Sequence, residues 1–125
     1  MPAKNINLGE SELEIMKVLW NAKEPITSVT ISKAVEDRNW KKTTIATFLT
    51  RLVDKGAVSA EKQGKLYYYT PLITAKAYRK AQTKNLIKNL FNGSAKDFAV
   101  AFFEEQKLSD QDIKELKAMF EEKEG

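Results

Sequence analysis

The run from Lys41 to Gly56 narrows the possible folds of this chain more than any other stretch. Its apolar residues, Ile45, Phe48, Leu49, Leu52 and Val53, follow the i, i+3, i+4, i+7, i+8 spacing of one helical face. The opposite face carries Thr43, Thr44, Thr47, Thr50 and Arg51, with Lys41 and Lys42 at its entrance. Hydroxyls and cations on an exposed helix face can hydrogen-bond phosphate oxygens and base edges, so the pattern reads as a recognition helix. Gly56 directly after Lys55 reads as a left-handed stop. Beyond it the hydrophobic period changes from that of a helix to that of a strand.

Val58–Lys62 and Lys65–Tyr69 alternate with period two around Gln63-Gly64, and a two-residue turn ending in Gly is a hairpin signal. This predicts Val58 opposite Tyr69 and Ala60 opposite Tyr67, all facing inward, with Lys62 and Lys65 paired at the tip. Like charges side by side are mildly destabilising in a plain hairpin, and phosphate would relieve them. Pro71 ends the second strand.

Upstream, Leu8 to Trp20 reads as a first helix with Gly9 as its N-cap. Glu10, Glu12 and Glu14 lie in its first turns, where acids complement the helix dipole, and Leu13, Met16, Leu19 and Trp20 form the inner stripe. Pro25-Ile26 is a short extended piece. Thr27 caps a second helix to about Asp37, with Ile31 and Val35 inward, and Arg38–Trp40 connects to the third. Either Asn39 or Lys41 caps that third helix. Two short helices joined tightly to a third, followed by a hairpin with a basic tip, predict a winged helix-turn-helix domain over residues 1–72.

Residues 73–125 read as a helical dimerisation domain. A long helix runs from Thr74 to Phe91 and stops at Asn92-Gly93. Ser94 with Asp97 resembles a capping box for a helix to about Gln106, and Ser109 with Asp112 repeats the device. Phe98, Ala101, Phe102, Ile113, Leu116, Met119 and Phe120 give these two helices an apolar face that short helices cannot leave in water. A second copy of the chain is the simplest partner, and folding back on the first domain is the alternative. The fold class is therefore mainly α with a small β-hairpin.

Composition sharpens the functional reading. Of 125 residues 42% are apolar, enough for a core, and no run of about 20 apolar residues predicts membrane insertion. The opening residues lack the apolar block of a signal peptide, which predicts a cytoplasmic protein. The chain has no Cys and no His, which removes thiolate and imidazole metal sites and the Ser-His and Cys-His catalytic pairs. No enzyme, cofactor or metal is expected. The net charge of +4 conceals a basic front and an acidic tail. Arg38, Lys41, Lys42, Arg51, Lys55, Lys62 and Lys65 face only Asp54 and Glu61 between residues 38 and 65. Lys76, Arg79, Lys80, Lys84 and Lys88 face no acid between 73 and 91, and nine acids outnumber five bases from Asn92 onward. Such a front suits a polyanion.

With these residues placed, the sequence resembles the BlaI/MecI family of penicillinase repressors, also called the BlaI/MecI/CopY family. The resemblance rests on Glu12 through Trp20, Trp40 with Thr44-Ile45, Leu49-Thr50-Arg51-Leu52, Lys55-Gly56-Ala57, Gly64 through Pro71, and Leu108-Ser109 with Ile113 and Glu115-Leu116. It implies a homodimeric repressor that binds a palindromic double-stranded DNA operator with TACA/TGTA elements. Regulation of β-lactamase or other resistance genes is implied too. So is relief of repression by a membrane sensor-protease pathway that cuts the dimerisation helix. The family's Ser-Pro-Lys falls on Lys41-Lys42-Thr43, and its scissile Asn-Phe falls on Ala101-Phe102. The Cys-x-Cys motifs of the copper-responsive branch are absent.

The residues expected to bind DNA are Thr43, Thr44 and Thr47 at base edges, and Lys41, Lys42, Arg51, Lys62 and Lys65 at phosphates. The backbone at Thr27 and Ser28, a helix N-terminus, joins the phosphate contacts. A winged-helix module that binds protein without specific DNA binding is the alternative.

Overall fold

The computed structural model describes residues 6–124, with side chains through Met119. Its elements in order are α1 (Glu10–Asn21), β1 (Ile26–Thr27), α2 (Ser28–Ala34), a 3-10 turn (Glu36–Arg38), α3 (Lys42–Asp54), β2 (Val58–Gln63), β3 (Leu66–Pro71), α4 (Ala75–Leu90), α5 (Ala95–Glu105) and α6 (Asp110–Glu124). Two compact units divide between Thr83 and Lys84, inside α4, rather than before that helix as expected. The first half of α4 is tied to the first unit by specific bonds. Tyr78 is buried, and its hydroxyl accepts from the Leu8 N–H at 3.2 Å. The Gln82 amide donates to the Ile6 carbonyl at 3.2 Å. Trp20 of α1 lies 6.1 Å from the Tyr78 ring and donates its indole N–H to the Ile73 carbonyl at 2.8 Å.

The core of the first unit is where the helical periodicities meet. Ile15, Met16 and Leu19 of α1, Ile31 and Val35, and Ile45, Leu49 and Leu52 of α3 are buried together with Val58 of β2. Val53, expected on the inner stripe, is 37% exposed. It lies at the edge of the stripe, where the helix turns toward the hairpin. α1 starts at Glu10 rather than Leu8, because Gly9 is its N-cap as expected and Glu12 reaches back to the Gly9 N–H at 2.7 Å. Thr27 caps α2, its hydroxyl oxygen accepting from the Thr30 N–H. That helix ends at Ala34 instead of Asp37. Asn39, a residue that tolerates the left-handed region, turns the chain at φ 58. Lys41 then stands at the N-cap of α3 without a side-chain cap bond.

α3 ends in a complete Schellman motif. Gly56, at φ 80, donates to Val53 at 3.0 Å, and Ala57 donates to Leu52 at 3.0 Å. The chain then enters a three-stranded antiparallel sheet of order β1-β3-β2, one strand more than the hairpin the sequence suggested. Ile26 pairs with Tyr69 and Thr27 with Tyr68.

The hairpin register differs from expectation by two residues. Val58 lies opposite Pro71, Ala60 opposite Tyr69, Lys62 opposite Tyr67 and Gln63 opposite Leu66. The turn is therefore Gly64-Lys65, with φ 66 at Gly64 alone. A positive φ only at the first central position is the type II′ arrangement, whose twist suits a hairpin. A slip of two keeps every side chain on its face, but Lys62 and Lys65 are no longer a cross-strand pair. Tyr69 packs against the core, whereas Tyr67 is 49% exposed and is not a core residue.

In the second unit, Asn92 and Gly93 stop α4 with positive φ, and the Gly93 N–H donates to the Ile87 carbonyl at 3.0 Å. The Ser94 hydroxyl oxygen accepts from the Asp97 N–H at 3.1 Å. Ser109 and Asp112 close a reciprocal capping box at 3.0 and 3.3 Å. Phe91, Phe98 and Phe102 form a chain of ring contacts. No described residue of α5 or α6 is fully buried. No helix among the described residues is long and apolar enough to cross a membrane.

Candidate nucleic-acid interface

The outward face of α3 is held rigid from behind by Ile45, Leu49 and Leu52, each buried. Lys41, Lys42, Thr43, Thr47, Thr50 and Arg51 are exposed on it, and Thr44 is half-buried at its edge. Thr47 donates its hydroxyl to the Thr43 carbonyl at 3.0 Å, and Thr50 donates to Ala46 at 3.0 Å. Such back-bonding fixes the rotamer. Thr47 therefore presents acceptor lone pairs and a methyl group to a ligand, not a free donor.

Arg51, Lys41 and Lys42 make no ion pair among the described residues, and neither do Lys62 and Lys65. Lys62 on β2 sits 6.0 Å from the centre of the Tyr67 ring, and Lys65 occupies the turn itself. An open groove of about 270 Å3 separates α3 from the wing, lined by Thr50, Val53, Asp54, Ala60, Tyr67 and Tyr69. Burial, with the neighbouring Tyr67, pushes the Tyr69 phenol above its ordinary pKa, so it stays protonated. Thr27, half-buried, and the exposed Ser28 open α2, where the Thr30 N–H is already taken by the Thr27 hydroxyl oxygen.

Two cations of the basic front are committed elsewhere. Arg38 bonds Glu14 at 2.9 Å, and Lys55 bonds Glu12 at 2.6 Å. Glu12, a helix-dipole acid by its place in the sequence, is only 5% exposed. The only local signal was its capping reach to Gly9. Its partner Lys55 lies 43 residues away, beyond any helical or strand period. Burial raises the Glu12 pKa, but the Lys55 and Gly9 hydrogen bonds and the charges of Lys55 and Arg51 outweigh it, and the carboxyl lies below its ordinary value.

In the second unit, Phe98, Ala101 and Leu116 are half-buried, while Phe102, Ile113 and Met119 are exposed. Leu90, Val100 and Phe103 extend that exposed apolar set. Phe103 lies off the Phe98–Phe102 stripe, so helical spacing does not single it out. The side chain of Phe120 lies outside the described residues.

Comparison with known proteins places this geometry. Residues 8–122 match the family model described as penicillinase repressor. The chain is 32% identical over 115 residues to the penicillinase repressor of Bacillus licheniformis, covering 92% of this chain and 90% of that one. It is 27% identical over 123 residues to the methicillin resistance regulatory protein MecI of Staphylococcus aureus strain N315, covering 98% and 100%. Two solved structures are similar in fold. The DNA-binding domain of the repressor BlaI matches with a TM-score of 0.52 and 36% identity, over 58% of this chain and 88% of that one. The monomeric form of Bacillus licheniformis BlaI in complex with the blaP half-operator matches with a TM-score of 0.51 and 35% identity, over 59% and 90%. The first unit is thus a winged helix, and the chain belongs to the penicillinase repressor family.

Proposed function

We propose that this protein is a homodimeric transcriptional repressor that reads a palindromic DNA operator with α3. One observation carries the reading: a threonine face backed by buried side chains, flanked by cations with no ion pair among the described residues, stands beside a basic wing in a unit similar to the BlaI DNA-binding domain. Thr43, Thr44 and Thr47 meet base edges, Thr47 through its lone pairs and methyl. Lys41, Lys42, Arg51, Lys62 and Lys65 hold phosphates, and the N–H groups at Thr27 and Ser28 add a helix N-terminus. The exposed apolar residues of α5 and α6 associate with a second copy, including Phe102, Ile113 and Met119. Two α3 helices then occupy successive major grooves, about 34 Å apart or a multiple of it.

Linkage of two weak half-site contacts supplies the affinity, so separating the protomers releases the operator. Under a sensor-protease pathway of the family's kind, the cut falls at Ala101-Phe102 within α5. Phe102 is exposed there and Ala101 is half-buried. The resistance genes controlled by relatives define the class of promoter proposed, and the cytoplasm is the compartment in which the protein meets it.

Selection of bound duplexes from a random pool tests the reading. An enriched palindrome with half-sites spaced by whole turns is expected. Binding of all sequences alike, or of none at low salt, would overturn it and favour a protein-binding winged helix.

A further inference from the structure

The Glu12 carboxylate is nearly buried, and one of its oxygens, Oε2, is buried with no hydrogen-bond partner among the described residues. The other, Oε1, accepts from the Gly9 N–H at 2.7 Å and from Lys55 Nζ at 2.6 Å. Lys55 also donates to the Asn7 carbonyl at 2.8 Å. A Cβ at Gly9 would stand 3.1 Å from Oε1, so the glycine cap leaves the carboxylate room to turn inward. Lys55 is the C-cap of α3. Its ammonium could neutralise the last carbonyls of its own helix, yet it crosses to α1 and to the strand of chain before it.

Glu12 and Lys55 form a half-buried pair, with the Lys55 side chain 36% exposed against 6% for Glu12, and such a pair is a modest source of stability. Its best-attested use is to specify one arrangement among several that are similarly packed. Here α1 contributes Ile15 and Met16, and α3 contributes Leu49 and Leu52, to one apolar core. Such side chains tolerate small sliding of one helix on another. A short charged bond at the end of α3 does not.

We infer that Glu12 and Lys55 form a positioning pair that fixes the end of the recognition helix on α1, and that Lys55 is not a phosphate contact despite its place in the basic front. The inference rests on the repressor reading. Its consequence is that the pair sets how the threonine face is presented to base edges. Contacts to phosphate by long, flexible side chains adapt to a small shift, whereas base contacts do not.

The test uses the full chain with Glu12→Gln and Lys55→Met together, so that the Glu12 carboxylate is not left buried without its cation. The duplex enriched by the wild-type chain from a random pool and a random-sequence duplex serve as probes. Affinity is expressed per active molecule after titrating the folded fraction. Affinity for the enriched duplex should fall roughly tenfold, about the cost of one mismatched base pair. Affinity for random duplex and the salt slope should both stay as in the wild type. Lys55→Arg alone should restore the wild-type ratio of the two affinities. An unchanged ratio in the double variant overturns the inference. So does a slope smaller by about one unit per half-site in Lys55→Met, which would mark a phosphate contact.

Amide hydrogen exchange without DNA gives a second, independent reading. The α3 amides near Leu52 and those of Asn7 to Gly9 should exchange faster in the double variant, and unaltered exchange overturns the pair's role. If the wild-type chain enriches no duplex, the repressor reading fails while hydrogen exchange still decides the positioning claim.

Discussion

Lys62→Ala removes one proposed phosphate contact with little cost to the fold. The side chain is exposed on β2 and makes no ion pair among the described residues. Its sole described interaction is with the Tyr67 ring at 6.0 Å, worth about 0.5 kcal/mol at an exposed site. Counterion release sets the effect on binding, since each neutralised phosphate contributes about −0.9 to the slope of log affinity against log salt. The proposed interface has five cations with no ion pair among the described residues, Lys41, Lys42, Arg51, Lys62 and Lys65, or ten in the proposed dimer. They give a slope of about −9, and a loss of about 10⁵ in affinity between roughly 50 and 200 mM salt. Losing Lys62 lowers that slope by about 0.9 on a single half-site and about 1.8 on the full site. Over the same fourfold rise in salt, each half-site of the variant should lose about 3.5-fold less affinity than the wild type. Fluorescence anisotropy on one-half-site and two-half-site duplexes reads both slopes. A slope equal to that of the wild type would remove Lys62 from the phosphate contacts. A loss confined to the enriched sequence would make it a base contact instead.

Three further outcomes follow from named residues. Met119→Asp places a charge on a side chain that is 63% exposed within its own unit; sedimentation should show a monomer with unchanged helix content, and a persistent dimer would move the interface elsewhere. Gly64→Ala meets no steric contact but forces an L-residue to φ 66, so it should lower stability by about 1 kcal/mol in a denaturant titration. Glu12 has its folded pKa lowered, so its contribution is present above the ordinary carboxylate range and is lost as pH falls through the folded value. A thermal melt series taken down to about pH 3 should therefore show a decline that Glu12→Gln flattens, and identical profiles would remove Glu12 from the acid response.

The sequence by itself determined everything that repeats at short range. The inner stripe of α3, its threonine face, the glycine stop at Gly56, the Thr27, Ser94 and Ser109 caps and the strand period on either side of Gly64 all depend on residues within a turn or two of each other. Local sterics and hydrogen bonding decide such features, and the exposed face of the candidate site was legible for the same reason. The tertiary structure decided what joins distant residues. Alternation could not choose between hairpin registers two residues apart, because both present the same faces; the type II′ turn at Gly64 made the choice. The pairing of Ile26 with Tyr69, the reach of Lys55 to Glu12 and the anchoring of Tyr78 to Leu8 across 70 residues have no period to betray them. They arise only when packing brings the partners together, and the Lys55 bond sets that cation apart from those with no ion pair among the described residues.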